Sequence, residues 1–277
     1  MLTERQPDRR PMKVAVLCSQ RAPGLLHLLN VDREHGRSYE VVCCVTSEPA
    51  FSEEVEVERR GVPTLRRPIA EFYSARGAAL YRDTDVRAAF DAETVERLAR
   101  YSPDLLLLDG YVYLVTEPLL GAFRGRIVNL HFSDLTLRRP DGGPAFPGLR
   151  AVRDALAAGC EETRATVHLV DTEPDGGPPI VRSWPFPVSP MVRSGAAATD
   201  MGKAYTFAHQ QWMMRDSAGP LLAAALRLIG RNEVDLHTLA ARAPCDVVPW
   251  DLAADGSLAP PPAIARDQPA ERTLVAQ

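Results

Sequence analysis

Arg126-Ile127-Val128-Asn129-Leu130-His131 is the stretch on which the reading of this chain turns. It is apolar enough to be a buried strand, yet it carries an amide and an imidazole at alternate positions. Strand side chains alternate between faces, so Ile127, Asn129 and His131 project to one side and Val128 and Leu130 to the other. Further along, Thr166-Val167-His168-Leu169-Val170-Asp171 runs into Thr172-Glu173-Pro174-Asp175-Gly176-Gly177-Pro178, a strand followed by a glycine turn that bears a carboxylate. Amide, imidazole and carboxylate are the groups that stabilise charge on a carbonyl oxygen and take a proton from an attacking nucleophile. Each also has a plainer reading. Asn129 could bond a neighbouring loop, and His131 could be a core histidine with a backbone partner. His168 reads as structural in an alternating strand, and the Asp175 turn could be only a hairpin turn.

On the N-terminal side, Lys13–Cys18 (KVAVLC) and Glu40–Thr46 (EVVCCVT) are short apolar runs, with a helical stretch from Leu25 to Leu29 between them. That order is a βαβ pattern and predicts a parallel sheet with crossover helices. Gly61-Val62-Pro63-Thr64 predicts a third, short strand. Asp91 to Tyr101 has amphipathic helical spacing, and Asp104–Asp109 (DLLLLD) reads as a fully buried strand. Thr116-Glu117-Pro118 opens another helix, with a threonine placed to cap it and a proline tolerated in the first turn. The expected fold class is α/β, a doubly wound and mostly parallel sheet whose ligands bind outside the carboxyl ends of the strands. His131 lies at such an end.

Beyond it, Asp134 to Gly148 is a loop, and Leu149 to Ala158 is a helix stopped by Gly159. Thr166–Asp171 and Pro179–Val188 form a hairpin, and Gly202 to Ile229 is a long helix ending at Gly230. The domain expectation is one unit over residues 12–230. An Ala/Pro-rich extension over 231–277 is expected to wrap the surface or to be partly disordered.

The 277 residues suffice for one large domain or a domain with an appendage. Its 32 basic and 36 acidic residues give a formal charge of −4, with neither sign gathered in a block. That balance gives no support to a nucleic-acid partner or an anionic membrane. The five cysteines follow no metal-binding or redox spacing, and Cys18, Cys43 and Cys44 sit in apolar runs as reduced core residues. No metal is expected. No glycine fingerprint follows the first strand, which argues against a dinucleotide. The leader from Met1 to Arg10 lacks an apolar core and no stretch reaches spanning length, so a soluble, cytoplasmic protein is expected. Oligomeric state is not legible.

Asn129-Leu130-His131, then Phe146-Pro147-Gly148-Leu149, then Thr166–Val170 with Asp175-Gly176-Gly177-Pro178 occur in that order, preceded by Asp109-Gly110-Tyr111-Val112-Tyr113-Leu114. Together they resemble the formyltransferase family that uses 10-formyltetrahydrofolate, from Met12 to Ile229. The resemblance implies a Rossmann-like catalytic domain, 10-formyltetrahydrofolate as co-substrate and a small-molecule amine, or hydroxylamine, as acceptor. It implies that Asn129 donates to the formyl oxygen and that His131 stabilises charge there or passes protons. Asp175 would hold His131 or a water and help deprotonate the amine. The pterin would lie against the backbone of Tyr111, Val112, Tyr113, Leu114 and Val115 and of Asp171, Thr172, Glu173, Pro174 and Asp175. Ile127 would line the same pocket.

The departures from that pattern concern the acceptor. Members acting on glycinamide ribonucleotide bind its phosphate on a Gly/Ser/Asn-rich loop. Here that loop is Ser19-Gln20-Arg21-Ala22-Pro23-Gly24, and Pro23 has no N–H. Arg21 could bind an anion instead, or be an ordinary surface arginine. Arg215 stands near the place of an acidic substrate contact, Phe132 stands where a proline is usual, and the Thr136–Pro144 loop looks longer. These changes imply an acceptor other than glycinamide ribonucleotide, and the separate C-terminal barrel of the tRNA-acting members is not expected in the short tail. Two alternatives stay open. A hydrolase would pass the formyl group to water, although the leader to Pro11 is too short for that variant's regulatory domain. A non-catalytic folate-binding module would have no need of a histidine beside an oxyanion donor.

Overall fold

The apolar runs of the first half become five parallel strands: β1 (Met12–Cys18), β2 (Tyr39–Thr46), β3 (Thr64–Arg66), β4 (Leu105–Leu108) and β5 (Ile127–His131). The structure is a computed structural model that describes residues 10–31, 38–193 and 199–262. Helices α1 (Leu25–Val31), α2 (Glu54–Arg59), α3 (Ile69–Ser74), α4 (Thr84–Ala99) and α5 (Glu117–Ala122) connect these strands. The chain continues through α6 (Ala151–Ala157), β6 (Glu162–Thr163), β7 (Thr166–Leu169), β8 (Pro179–Arg182) and β9 (Phe186–Pro187). It ends in α7 (Pro190–Arg193), α8 (Asp200–Gly230), α9 (Leu236–Ala240), β10 (Trp250–Leu252) and β11 (Leu258–Ala259). The main sheet runs β11-β10-β8-β7-β5-β4-β1-β2-β3, with β7 antiparallel to both of its neighbours. This is the doubly wound, mostly parallel α/β sheet that the sequence predicts.

Alternation within the strands divides the interior into two cores. Val14, Val16, Leu105, Leu107, Val128 and Leu130 face α1 and α8, where Leu25, Leu28, Leu221 and Leu222 cover them. Ala15, Leu17, Leu106, Leu108 and Ile127 face α4 and α5, against Leu98 and Leu119. Each fully buried leucine contributes about 1.5–3 kcal/mol, so the all-leucine β4 is a strong anchor for the centre of the sheet. β1 lies between β4 and β2, so the winding direction reverses there and a crevice opens beyond the strand ends. The loops after β1 and β4 meet at that crevice. Gly110 has φ +74°, and a Cβ there would lie 2.4 Å from the Arg21 carbonyl oxygen, so only glycine allows the approach.

Three expectations need correction. The strand expected over Pro179–Val188 stops at Arg182. Pro185 and Pro187 have no N–H to give a ladder, and Phe186–Pro187 pairs with β6 instead. Thr116 stands at the N-cap of α5, but its hydroxyl bonds Asp91 and makes no side-chain cap bond. The stretch after 230 is not merely a surface tail. It forms α9 and extends the sheet, with β10 parallel to β8 and Arg182 bidentate to Asp251 at 2.8 and 3.2 Å. Strands this short carry no periodicity, which is why composition hid them. The parts of the leader and tail readings that concern residues 1–9 and 263–277 lie outside the described residues.

Cys18, Cys43 and Cys44 are wholly buried, and burial pushes the Cys43 thiol up to about 12. Among the described residues no helix is long and apolar enough to cross a membrane, and no His/Cys/Asp/Glu cluster could hold a metal.

Candidate active site

β5 carries Asn129 and His131 to the crevice, and β7 pairs beside it with His168 directly opposite Asn129. The turn after β7 then folds back and presents Asp175. Asp175 sits at φ +54°, a left-handed conformation that aspartate visits more readily than most residues. Gly177 follows because a Cβ there would lie 1.9 Å from the Leu169 carbonyl oxygen. The Asp-Gly-Gly sequence is therefore what lets a carboxylate return over the end of its own strand.

Hydrogen bonding assigns the tautomers. His168 Nδ1 lies 3.0 Å from the Leu169 carbonyl, which can only accept, so Nδ1 carries the proton. His168 Nε2 then accepts from Asn129 Nδ2 at 3.1 Å. Burial pushes His168 down to about 4, against the opposing pull of the Asp175 carboxylate 3.7 Å away, so the ring is neutral at pH 7. The second Asn129 N–H makes a long, weak bond of 3.5 Å to Asp175 Oδ1. His131 Nε2 donates to the Phe146 carbonyl at 3.0 Å, which leaves Nδ1 facing Asp175 Oδ1 at 3.5 Å. Asp175 Oδ2 accepts the Gly148 N–H at 2.7 Å. Phe146-Pro147-Gly148 thus supports two members of the cluster, and His168, which the sequence marks as structural, orients the third.

Asn129, His131 and Asp175 open into a cavity of about 640 Å³. Tyr111, Val112, Tyr113, Leu114, Val115, Asp171, Thr172, Glu173 and Pro174 also line it. Ile127 does not. It shares the strand face of Asn129 but is only 1% exposed, packed in the core with Leu119 and Phe123. Alternation gives the face of a residue, not its depth.

A buried cation that the sequence reading passed over holds the first of these segments. Arg87 Nε and Nη2 donate to the Leu114 carbonyl at 3.1 and 2.7 Å, and Nη2 also donates to the Tyr111 hydroxyl at 2.9 Å. Its Nη1 pairs with Asp91 at 2.5 Å, and Asp91 accepts the Thr116 N–H and hydroxyl at 2.8 and 2.6 Å. The available signal was an Arg/Asp pair one turn apart on the apolar face of α4. Among the described residues, the N–H groups of Tyr113, Leu114, Val115 and Thr172 have no protein partner.

The other end of the cavity is built from Ser19, Gln20, Arg21, Glu48, Phe207, Gln211 and Met214. Its β1–α1 loop is closed by the chain's own carboxylates. Glu53 accepts the Ala22 N–H at 2.8 Å, Asp109 accepts the Gly24 N–H at 2.9 Å, and Pro23 between them has none. Burial pushes Asp109 up to about 7. Arg21 Nη1 donates to Gln211 Oε1 at 3.1 Å and rests 3.5 Å from Met214 Sδ. Arg215 does not reach the cavity; it is 76% exposed and pairs with Asp216, while Met214 faces inward.

A family model described as formyl transferase matches residues 12–215. The chain is 30% identical over 183 residues to the trifunctional purine biosynthetic protein adenosine-3 of Drosophila melanogaster, covering 65% of this chain and 12% of that protein. It is 35% identical over 99 residues to the phosphoribosylglycinamide formyltransferase of Escherichia coli (strain K12), covering 36% of this chain and 43% of that enzyme. The matched stretches thus span less than half the length of these curated relatives. Among solved structures, glycinamide ribonucleotide transformylase 1 from Symbiobacterium toebii superposes with TM-score 0.62 at 30% identity, over 80% of this chain and 89% of that one. A formyltetrahydrofolate deformylase from Pseudomonas syringae pv. tomato str. DC3000 gives TM-score 0.62 at 20% identity, over 83% of this chain and 65% of that one, a likeness of fold alone. The family match contains the whole Asn129, His131 and Asp175 cluster and most of the chain, and the chain belongs to the formyl transferase family.

Proposed function

We propose that this protein transfers the formyl group of 10-formyltetrahydrofolate to the amino or hydroxylamino nitrogen of a small metabolite other than glycinamide ribonucleotide. The observation that carries the reading is the convergence of Asn129, His131 and Asp175 on one cavity, each held by a partner outside the trio. A reduced pterin fits beside them. Its edge alternates donors and acceptors, and the unpaired N–H groups of Tyr113, Leu114, Val115 and Thr172 offer the complementary peptide edge. The folate supplies the formyl carbon.

The side chains do the rest. Asn129 gives its weakly held N–H to the formyl oxygen in place of Asp175 as negative charge grows there, while His168 keeps the amide plane fixed. His131, anchored through Nε2, holds or passes a proton at Nδ1 in the direction of Asp175. Asp175, kept in place by Gly148, accepts the proton that the attacking nitrogen must lose, and that proton passes to the folate nitrogen as its bond to the formyl carbon breaks and tetrahydrofolate leaves. The burial of His131 and the half-burial of Asn129 and Asp175 limit the bulk water that competes with the amine.

The β1–α1 loop supports the exclusion of glycinamide ribonucleotide. Glu53 and Asp109 occupy the Ala22 and Gly24 N–H groups and Pro23 has none, so three successive positions offer a phosphate no donor. The test is tetrahydrofolate release from 10-formyltetrahydrofolate, measured alone and with a panel of amines. Amine-dependent release is expected. Equal release without amine would replace the proposal with formyl transfer to water, and efficient release with glycinamide ribonucleotide would overturn the acceptor claim.

A further inference from the structure

The cavity is unevenly charged. Among the described residues that line it, Arg21 is the one arginine or lysine, against the carboxylates of Glu48, Asp171, Glu173 and Asp175. Among the described residues Arg21 has no carboxylate partner of its own. Its backbone is pinned, because the Gln20 carbonyl accepts both the Ser52 N–H and hydroxyl and the Arg21 carbonyl packs on Gly110. Its head group is steered by Gln211 and Met214 on α8. A guanidinium fixed at both ends, with donors left over and no counter-ion, is a seat for one planar anion.

We propose that the acceptor is an amino acid or related zwitterion whose single carboxylate sits on Arg21 while its amine reaches the Asn129, His131 and Asp175 cluster. This rests on the formyl-transfer reading and names the substrate class for it. A carboxylate matches the fork of one guanidinium, whereas a phosphate dianion would need further donors, and the Ala22 and Gly24 N–H groups of the neighbouring loop are already bonded to Glu53 and Asp109. The four acidic residues repel a dianion but attract the ammonium end of a zwitterion, which sheds its extra proton to solvent before attack and leaves Asp175 free for the proton lost on attack.

The experiment compares a series of ω-amino acids of increasing length, each beside its carboxamide and its phosphate-ester counterpart, in wild type, Arg21→Lys and Arg21→Ala. In wild type, one length of amino acid should exceed its carboxamide and phosphate counterparts at least tenfold in kcat/KM for tetrahydrofolate release. Arg21→Ala should bring the carboxylate-to-carboxamide ratio close to one, through KM for the amine and with KM for the folate unchanged. Arg21→Lys should restore part of it. A best substrate bearing phosphate, a ratio indifferent to Arg21, or an Arg21 effect on folate KM would each overturn the assignment. Calorimetry with 5-formyltetrahydrofolate separates the two levels. If the folate binds and no carboxylate-bearing amine turns over, the carboxylate seat is wrong. If the folate does not bind, the formyl-transfer reading itself falls.

Discussion

The two ends of the cavity are built by different rules. At the Asn129 end the three polar side chains are held by one another and by His168, Phe146 and Gly148, so that four separate segments of the chain meet there. At the Arg21 end Gln20, Arg21 and Phe207 stand in solvent, and the lining comes from the β1–α1 loop, from Glu48 after β2 and from α8. Removing a group from an interlocked buried network disturbs everything bonded to it, whereas an exposed side chain can change alone. Chemistry common to a family would therefore sit at the first end, and the choice of acceptor at the second.

The sharpest way to break that contrast is to strike the buried end. His131→Ala and Asp175→Asn should lower kcat by two to four orders of magnitude, roughly the range of a lost general acid or base, with folate KM little changed. Asn129→Ala should cost about 3 kcal/mol, roughly a hundredfold, as for one lost oxyanion donor. Steady-state kinetics on variants with wild-type melting curves decide the matter. Losses of only a few-fold would place the chemistry elsewhere.

Next in size is the support of the pterin-side segment. Arg87→Ala leaves Asp91, wholly buried, without its cation, and such broken pairs cost about 3–5 kcal/mol. Denaturant melts should show that loss. Arg87→Ala also frees the Leu114 carbonyl, so folate KM should rise more than kcat falls. A variant that kept both stability and folate KM would show that the segment holds itself.

The sequence showed the two ends unequally. Asn129, His131 and Asp175 were legible because strand alternation and a glycine turn fix backbone directions locally, and those directions survive folding. Ile127 was misplaced because depth depends on α5, which no pattern within β5 encodes. Arg87 was missed because a charged pair one turn apart reads equally well as a solvated helix face, and only tertiary packing buries it. Glu53 and Asp109 lie far in sequence from the N–H groups they close, so Pro23 alone hinted that the loop had lost its donors.

A smaller effect tests whether the buried end is as dry as its hydrogen bonds imply. His168 has its folded value lowered to about 4, while an unfolded histidine titrates near 6.5. Between those values the unfolded chain binds a proton that the folded chain refuses. Stability should therefore fall as pH drops from about 6.5 toward 4, and this contribution should be constant above that window. Unfolding free energy against pH for wild type and His168→Gln isolates the slope. Identical slopes would mean that His168 protonates in place and that water reaches Asn129.

The smallest effect comes from the exposed end. Phe207 on α8 is 64% exposed at the cavity rim, beside the Gln211 and Met214 that steer Arg21. Exposed substitutions away from caps and buried networks usually change stability by less than about 0.5 kcal/mol, so Phe207→Ala should melt as wild type does. Its ring can still cover the apolar stem of an acceptor held between Arg21 and Asp175, so KM for the amine should rise a few-fold. Folate KM and the kcat at saturating amine should stay as they are, because Phe207 belongs to α8 and to neither of the pterin-side segments. A fall in stability would mean that the acceptor end is structurally coupled to the core. A fall in kcat would mean that it is coupled to the chemistry, and the division between a fixed reacting end and an adjustable acceptor end would not hold.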